Sequence, residues 1–293
     1  IAVIIIITIT KKQWKIKQIH YNNEIIKEEE ENNLDYSILS KAQDYEDIWL
    51  YENWFYGMKN GIILESGALD GITYSTSFFF ENYLKWSPIH IEADPRNYFK
   101  LIRKRENAVN INAALCSESK LLHYTRDGGG QVQGFVEFMS PNFLRKWHSK
   151  IYRNITSLDT LPTVQCVQLS RLLEEFNIKH VDIWILDVEG AELSVLQGTN
   201  FDEVHFNSIV MECDSTDRNR DNEKKEILQK NSFICEQVDR NCFCRHRDFQ
   251  PSKMPIDNRP GKIKLSRYEQ LKAIRAQKRL RAKSKPKPKP ITV

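Results

Sequence analysis

The chain has 293 residues, of which 41% are hydrophobic, so it can bury a full core; this excludes a disordered chain and a disulfide-stabilised mini-protein. Its formal net charge of +4 is unevenly distributed, because residues 262–293 carry twelve basic residues and one acid, whereas residues 1–261 hold 31 basic and 38 acidic residues. A globular nucleic-acid-binding protein usually has a basic folded part, so the acidic body argues against nucleic acid as a partner.

The N-terminal segment, residues 1–10, is almost entirely apolar and is followed by Lys11 and Lys12. Ten residues span about half a bilayer, since a spanning helix needs roughly 20. We interpret the segment as the end of a signal peptide or of a membrane anchor, with a β-branched strand as the alternative. An anchor predicts membrane association in the secretory or endosomal system; without one we expect a cytoplasmic protein.

Three further regions follow from the pattern of the chain. Residues 11–47 are polar and mixed in charge, and we interpret them as a leader or stem. Over residues 48–250, short apolar runs alternate with amphipathic helical stretches, which is the pattern of βαβ units. Residues 251–293 form a basic tail rich in Pro and Lys, which we expect either to stay solvated or to contact an anionic membrane.

Short, continuous aliphatic runs predict parallel strands that are covered on both faces. They occupy residues 61–65, 89–92, 108–111, 181–186 and 207–211. Two later runs, 233–238 and 242–245, predict an antiparallel hairpin. The predicted fold class is α/β: a doubly wound, mostly parallel seven-stranded sheet ending in an antiparallel hairpin, which fits a class I methyltransferase fold better than a dinucleotide dehydrogenase.

Helical stretches separate these strands. Asp94 as N-cap and Pro95 at the first helical position predict a helix that runs to Glu106. Leucines at helical spacing predict a second helix over residues 169–176, and a third helix over residues 191–197 is expected to end at Gly198. Residues 120–164 form an insertion that contains the run Gly128-Gly129-Gly130 between strand-like segments, and we expect this insertion to contribute to a substrate pocket.

The six cysteines lack the paired C-x-x-C spacing of a zinc site. Cys242 and Cys244 would share one face of a strand, which leaves a strained disulfide or a soft metal site open, but we expect ordinary packing of the thiols. Asn154-Ile155-Thr156 is an N-glycosylation sequon, usable only if the domain is lumenal or extracellular.

The turn after the first predicted strand reads ESGALDG (65–71), and its small residues let a ligand approach the backbone. It offers only Gly67 and Gly71, not the three glycines that seat a pyrophosphate. Glu65 and Asp70 would also repel phosphate, whereas an acidic turn suits a cationic ligand such as S-adenosylmethionine. The turn therefore argues for S-adenosylmethionine and against a nicotinamide cofactor.

Glu92 closes the second predicted strand, where an acid is placed to accept hydrogen bonds from both ribose hydroxyls of an adenosyl group. The alternative is an acid paired with Arg96 or Arg103. Asn112 and Ala113, which follow the third strand, are predicted to line the adenine.

Asp187 and Glu189 follow the fourth predicted strand and would face a methyl acceptor. Either could bind the acceptor hydroxyl, act as a base, or hold a divalent cation with Glu212 and Asp214, so metal dependence stays open. The alternative is that Glu189 and Glu192 are first-turn acids that stabilise a helix N-terminus.

Taken together, these blocks resemble the FkbM-type methyltransferase family over residues 54–246. The matching stretches are ESGALDG (65–71), IHIEADP (89–95), INAALC (111–116), CVQLSRLLEE (166–175), DIWILDVEGAELSVLQG (182–198) and SIVMEC (208–213). The resemblance implies S-adenosylmethionine as the cofactor and O-methylation of a hydroxyl on a sugar, lipid or other metabolite.

By residue, the resemblance implies that Glu65, Gly67 and Glu92 hold the cofactor, and that Asp187 and Glu189 lie near the acceptor. Ile185 departs from the family, since many members carry a lysine at this position. The chain also looks similar to animal Star-like proteins, a membrane-anchored branch linked to trafficking. The alternative to an enzyme is therefore a non-catalytic trafficking or scaffold protein that retains the fold.

Overall fold

The computed structural model describes residues 36–127, 132–213, 215, 217–255 and 266–283. The predicted hydrophobic segment 1–10, most of the predicted stem, the glycine run 128–130, Asp214 and the end of the tail, 284–293, lie outside these ranges. Within them, no helix combines the length and the apolar character that crossing a bilayer requires.

The described strands form two sheets. In chain order they are β1 (Ile62–Ser66), β2 (Ser87–Glu92), β3 (Val109–Asn112), β4 (Ala114–Leu115), β5 (Leu121–Thr125), β6 (Gly134–Phe135), β7 (Thr163–Val167), β8 (His180–Leu186), β9 (His205–Glu212), β10 (Phe233–Val238) and β11 (Asn241–His246). The main sheet has seven strands in the order β10-β11-β9-β8-β1-β2-β3, and a smaller sheet has the order β4-β7-β5-β6.

The main sheet confirms the predicted fold class. Its five central and edge strands β1, β2, β3, β8 and β9 are the five predicted parallel strands, each displaced by at most two residues at either end. Strands β10 and β11 pair antiparallel with each other, and β11 pairs antiparallel with β9, so the sheet ends in the predicted hairpin.

The described helices are α1 (Glu46–Asn53), α2 (Ser77–Leu84), α3 (Pro95–Lys104), α4 (Pro141–Trp147), α5 (Ser149–Arg153), α6 (Leu169–Glu175), α7 (Glu192–Gln197), α8 (Arg218–Lys230) and α9 (Arg267–Lys283). The start of α3 is as predicted, because Asp94 is the N-cap and its Oδ1 accepts a hydrogen bond from Arg96 N at 2.8 Å. The predicted ends of α6 and α7 are also correct to within one residue.

Alternation along the central strands sends side chains to both faces of the sheet. On β8, Trp184 and Leu186 lie in a hydrophobic cluster with residues of α6, α7 and α8. Ile183 and Ile185 point the other way, into an aromatic-rich cluster with α1 and α2. Because helices cover both faces, these strands are apolar throughout instead of alternating with polar residues.

The folded body extends beyond the predicted boundaries of 48 and 250. Before residue 48, Tyr36 packs edge-on against Tyr51 at a centroid distance of 5.1 Å, so the end of the predicted stem belongs to the core. After residue 250, helix α9 docks on the body, where Arg275 Nη1 pairs with Asp44 Oδ1 at 2.5 Å and Tyr268 OH donates to Asp239 Oδ2 at 2.8 Å. The sequence did not predict this docking because α9 attaches to acids that lie far away along the chain, among them Asp44, Glu52 and Asp239.

The expectation that the cysteines pack as free thiols is wrong for four of the six. Cys116 and Cys166 form one disulfide and Cys235 and Cys244 form another, while Cys213 and Cys242 are free and buried. The reason is pairing across strands: Cys235 and Cys244 are register partners on β10 and β11, and Cys116 directly follows β4, which pairs with β7, where Cys166 lies. Cys116 and Cys166 are 50 residues apart, so spacing rules do not indicate their pairing, whereas Cys235 and Cys244 are nine residues apart in the predicted hairpin.

Candidate functional site

The order in which strands are added to the main sheet reverses between β1 and β8, which makes this a topological switch point. These strands are parallel neighbours, yet β1 connects onward to β2 and β3 on one side and β8 to β9 on the other. In open α/β sheets, ligands bind in the crevice at the carboxyl ends of the strands at such a switch point. Two adjoining cavities open here, and both are lined by Ser66, Gly67, Asp187 and Glu189.

Gly67 lets the two strand ends approach each other closely. Its φ of 85° lies in the left-handed region, and a Cβ atom added to it would be 1.8 Å from the carbonyl oxygen of Asp187. The backbone N–H of Gly67 donates to Ile91 O at 2.9 Å. Glycine is therefore required at this position, and it leaves an open backbone surface in both cavities.

Glu92, at the end of β2, lies in the wall of the smaller cavity, which has a volume of about 70 Å³. Its two carboxylate oxygens accept hydrogen bonds from Leu69 N and Asp94 N, both at 2.8 Å, and these bonds hold the turn after β1 against β2. Burial raises the pKa of Glu92 to about 7. The alternative pairing with Arg96 or Arg103 is not seen among the described contacts; Arg96 pairs with Asp94 instead.

The other predicted cofactor residues of the first turn have structural partners. Glu65 lies in the wall of the larger cavity, but its carboxylate accepts hydrogen bonds from Ser75 Oγ, Thr76 N and Ser77 Oγ at 2.6–2.9 Å. Asp70 pairs with Lys104 at 2.5 Å and lines neither cavity.

Gly71 also lines neither cavity, and its φ of 78° serves packing against α3. A Cβ atom there would lie 2.6 Å from Leu101 and 2.7 Å from Arg105, and the Gly71 carbonyl accepts a hydrogen bond from Arg105 Nη1 at 2.6 Å. Asn112 likewise points away from the cavities, since its amide donates to Glu92 O at 2.7 Å. Asp70, Gly71 and Asn112 are therefore engaged in contacts within the protein, and their contact with a cofactor stays a prediction.

Ala113, which is predicted to line the adenine, lies in the wall of the smaller cavity, and two aromatic residues that the sequence did not indicate lie there with it. Tyr124 on β5 and Phe135 on β6 pack edge-on at a centroid distance of 5.2 Å. Both belong to the insertion, where strands as short as β6 leave no periodic pattern. The two rings therefore add flat apolar surface to the wall that also contains Glu92.

The carboxylates of Asp187 and Glu189 lie at the switch point and repel each other electrostatically. Asp187 is exposed to the larger cavity and Glu189 is half-buried, and none of the described residues donates a hydrogen bond to either carboxylate. Poor solvation within the crevice and the charge of Glu192 raise the pKa of Asp187. Desolvation and the charge of Asp187 raise the pKa of Glu189. Unpaired carboxyls with raised pKa values in a crevice are suited to exchange protons with a ligand.

The alternative of first-turn helix acids holds for Glu192 and not for Glu189. Glu192 is the first residue of α7, and its Oε1 accepts hydrogen bonds from Val188 N at 3.1 Å and Gly190 N at 3.0 Å. Glu189 lies in the turn before the helix with a left-handed φ of 53°. Among the described residues, no three metal-binding side chains converge on one point; Asp214, which the metal hypothesis includes, lies outside them.

The larger cavity has a volume of about 710 Å³, within the range typical of small-molecule sites. The insertion forms its outer wall, with Met139, Ser140 and residues of α4, including Phe143 and Trp147. Arg220 of α8 fixes the insertion to the switch point, because it donates to Phe138 O at 2.5 Å and to Gly190 O at 2.6 Å. The expected contribution of the insertion to a pocket is thus seen.

Ile185, where many family members carry a lysine, lies in the wall of the larger cavity. Arg240 also lines this cavity and carries a positive charge. It pairs with Asp44 at 2.8 Å and with Glu212 at 3.1 Å. The Arg240 charge lowers the pKa values of Asp187 and Glu189, against the effects that raise them. The sequence did not indicate Arg240, because it lies in the hairpin turn after β10, far from the acids along the chain.

The sequence model of the Methyltransferase FkbM domain matches residues 65–241, which spans every element around the two cavities. The chain belongs to the FkbM methyltransferase family. This confirms the predicted family and enzyme class, with S-adenosylmethionine as the methyl donor of the class, and agrees with the doubly wound sheet seen here. No sequence of a curated protein matches the chain significantly.

Solved structures similar to this FkbM domain include the FkbM methyltransferase of Methylobacillus flagellatus, with 13% identity and a TM-score of 0.41 over 72% of this chain and 49% of that chain. The fibrillarin of Methanococcus jannaschii is 16% identical over 68% of this chain and 72% of that chain, with a TM-score of 0.37. The fibrillarin of Aeropyrum pernix, solved with bound S-adenosyl-L-methionine, is 14% identical over 64% of this chain and 66% of that chain, with a TM-score of 0.34. The chain thus spans about half of the Methylobacillus protein.

Proposed function

We propose that this FkbM domain is an S-adenosylmethionine-dependent O-methyltransferase that acts on a hydroxyl of a sugar, lipid or other metabolite. The observation that supports it best is the pair of adjoining cavities at the switch point, with the unpaired Asp187 and Glu189 in the wall that they share. When bound, S-adenosylmethionine supplies an electrophilic methyl group next to a positive charge.

The smaller cavity suits the adenosyl end of the cofactor. Glu92 has two backbone N–H partners, and its oxygens retain lone pairs that can accept hydrogen bonds from ribose hydroxyls. Ala113 leaves room for a flat base beside Tyr124 and Phe135. A cavity of about 70 Å³ is smaller than an adenosyl group, so we expect the aromatic side chains to move outward on binding.

The open backbone of Gly67 and the acids beside it suit the cationic end of the same cofactor. We assign no direct contact with the cofactor to Asp70, Gly71 or Asn112. Each of them forms an ion pair or hydrogen bond that stabilises the turn after β1 or the end of β2. Glu65 acts through the residues 75–77 that it orders.

In the larger cavity, Asp187 is placed to accept the proton of an acceptor hydroxyl at a carboxylate oxygen. Its raised pKa makes it a stronger base than an ordinary aspartate. Most of the rate of a methyl transfer comes from holding the acceptor oxygen in line with the methyl group, and the walls formed by α4 and the switch point provide that orientation.

The test is transfer of an isotope-labelled methyl group. Purified full-length protein is incubated with labelled S-adenosylmethionine and cell extract, and untargeted mass spectrometry searches for labelled products. We expect at least one product that is heavier by one labelled methyl and absent with Asp187→Asn. Binding of the cofactor product without any labelled acceptor, in extracts from several tissues or growth states, would favour the alternative of a non-catalytic trafficking or scaffold protein.

We further propose that the domain works in an oxidising compartment of the secretory or endosomal system. The two disulfides support this, since such bonds persist in oxidising compartments and are rare in the cytosol. The exposure of Asn154, the acceptor residue of the sequon, is compatible with a glycan there.

A further inference from the structure

Helices α4 and α5 carry an unusual concentration of positive charge. Residues 141–153 contain Arg145, Lys146, Lys150 and Arg153 and no acid, although residues 1–261 as a whole are net negative. All four of these side chains are exposed. Only Arg145 and Lys146 lie at the larger cavity; Lys150 and Arg153 do not line it.

Arg145 and Lys146 have no acidic partner among the described residues. Arg145 Nη2 donates to Asn142 Oδ1 at 3.1 Å, and Lys146 Nζ lies 4.6 Å from the centre of the Trp147 ring. Two other cations of the cavity already have partners within the protein. Arg220 donates hydrogen bonds to two backbone carbonyls, and Lys224 forms a salt bridge with Asp221 at 2.9 Å. The outer wall therefore offers two cations whose charge is available to a ligand.

Trp147 adds an exposed aromatic surface beside these cations. Its side chain lines the larger cavity and is 45% exposed. The flat ring is suited to stack against the C–H face of a sugar.

The larger cavity is lined by charges of both signs, and three of its cations, Arg220, Lys224 and Arg240, already have partners within the protein. Asp187 and Glu189 line the switch point, whereas Arg145 and Lys146 line the outer wall. A ligand with one negative group is repelled from the acids and attracted to the outer wall, which orients it. A hydroxyl on the other end of the same ligand then reaches Asp187.

From this arrangement we propose that the acceptor is an anionic sugar, and that Arg145 and Lys146 bind its carboxylate, sulfate or phosphate while Trp147 stacks on its ring. The inference rests on the proposed methyltransferase function, because it takes the larger cavity as the acceptor site. It narrows the acceptor from any hydroxyl compound to a charged carbohydrate.

The test compares sugars that differ only in charge. Full-length protein with and without S-adenosylhomocysteine is titrated with methyl glucoside, methyl glucuronide, glucose 6-sulfate and glucose 6-phosphate, and binding is followed by ligand-observed NMR. At least one charged sugar should bind about tenfold more tightly than methyl glucoside, and added salt should reduce the difference. The charged sugar that binds best distinguishes a uronic acid from a sulfated or phosphorylated acceptor.

Two double variants separate the site from general attraction. Arg145→Gln with Lys146→Gln should remove the preference for charged sugars, whereas Lys150→Gln with Arg153→Gln, the same change of charge outside the cavity, should retain it. Trp147→Ala should weaken the binding of neutral and charged sugars by the same factor. Equal binding of neutral and charged sugars, no binding of any charged sugar, or equal loss in both double variants would overturn the proposal. Failure of S-adenosylhomocysteine to bind would instead contradict the methyltransferase function, independently of the sugar titrations.

Discussion

Two carboxylates stand apart from the many acids of this domain because the described residues leave them unpaired at the switch point. Replacing Asp187 by Asn removes the proton acceptor and keeps the shape of the side chain. We expect methyl transfer to fall about 10²- to 10⁴-fold, with little change in the affinity for S-adenosylhomocysteine. Kinetics and calorimetry on the same preparations measure both.

Asp202→Asn provides the control for this substitution, since Asp202 is an exposed acid in the loop after α7. It should leave both quantities unchanged. If Asp187→Asn retains the wild-type rate, the base is not Asp187, and Glu189→Gln then decides whether the neighbouring acid takes that role.

The raised pKa of Glu92 predicts how cofactor affinity depends on pH. Burial raises this pKa to about 7, and only the ionised carboxylate accepts hydrogen bonds from both ribose hydroxyls while holding Leu69 N and Asp94 N. Affinity for S-adenosylhomocysteine should therefore weaken as the pH falls from 8 to 5, through about 7. Calorimetry across this range should show a flat profile for Glu92→Gln; an equally steep profile in that variant would assign the dependence to another group.

At this scale the sequence predicted the location of the site better than the role of each residue. Gly67 and Gly71 look alike in the sequence, and both have a left-handed φ, yet one faces the cavities and the other packs on α3. The difference depends on Leu101 and Arg105, which lie more than thirty residues further along the chain. The ends of the strands could be predicted from short stretches of sequence, whereas the contact partners of each side chain could not.

Among the elements, the insertion is closed at its base by a cross-link within the smaller sheet. The Cys116–Cys166 disulfide joins the end of β4 to β7 over 50 residues of chain. Cys116→Ala with Cys166→Ala should lower the free energy of unfolding by about 3–4 kcal/mol, through the loss of the cross-link from the unfolded state. Urea unfolding followed by tryptophan fluorescence measures the difference.

Cys213→Ala is the matched control, because Cys213 is buried but free. It should cost about 1 kcal/mol, the ordinary loss for a small buried side chain. Equal losses in both variants would mean that the effect comes from packing and not from the cross-link.

The central strands were predicted well because helices cover them on both faces. The central strands are continuous aliphatic runs for that reason, and Asp94-Pro95 marks the start of α3 by a local signal. The insertion has no such signals, since β6 has two residues and α5 has five.

At the scale of the whole molecule, the disulfides and the sequon predict a lumenal domain. When the chain is expressed with a secretory leader in eukaryotic cells, we expect both disulfides to form and Asn154 to be glycosylated. Glycosidase treatment should reduce the apparent mass of the secreted protein, and Asn154→Gln should show the same reduced mass without treatment. Four reactive thiols from the disulfide pairs in the native secreted protein would contradict the assignment of an oxidising compartment.

The uneven charge of the chain also has a structural explanation. The basic helix α9 is held by acids of the body: Lys272 pairs with Asp239, and Arg275 pairs with Asp44. Asp44 in turn pairs with Arg240 at the rim of the larger cavity. Part of the predicted tail therefore belongs to the folded domain and supports the wall of the site, so the net charge of the chain describes neither its body nor its tail.

The most direct test of the account is a calorimetric titration of S-adenosylhomocysteine into the full-length protein. We predict one site per chain with micromolar affinity, weakened at least about tenfold by Glu92→Ala, which removes about 1.4 kcal/mol or more of binding free energy. Glu174→Ala, at an exposed acid of α6, should bind as the wild type does. No binding at high micromolar ligand, or equal binding by Glu92→Ala, would contradict the placement of the cofactor at the switch point of the sheet.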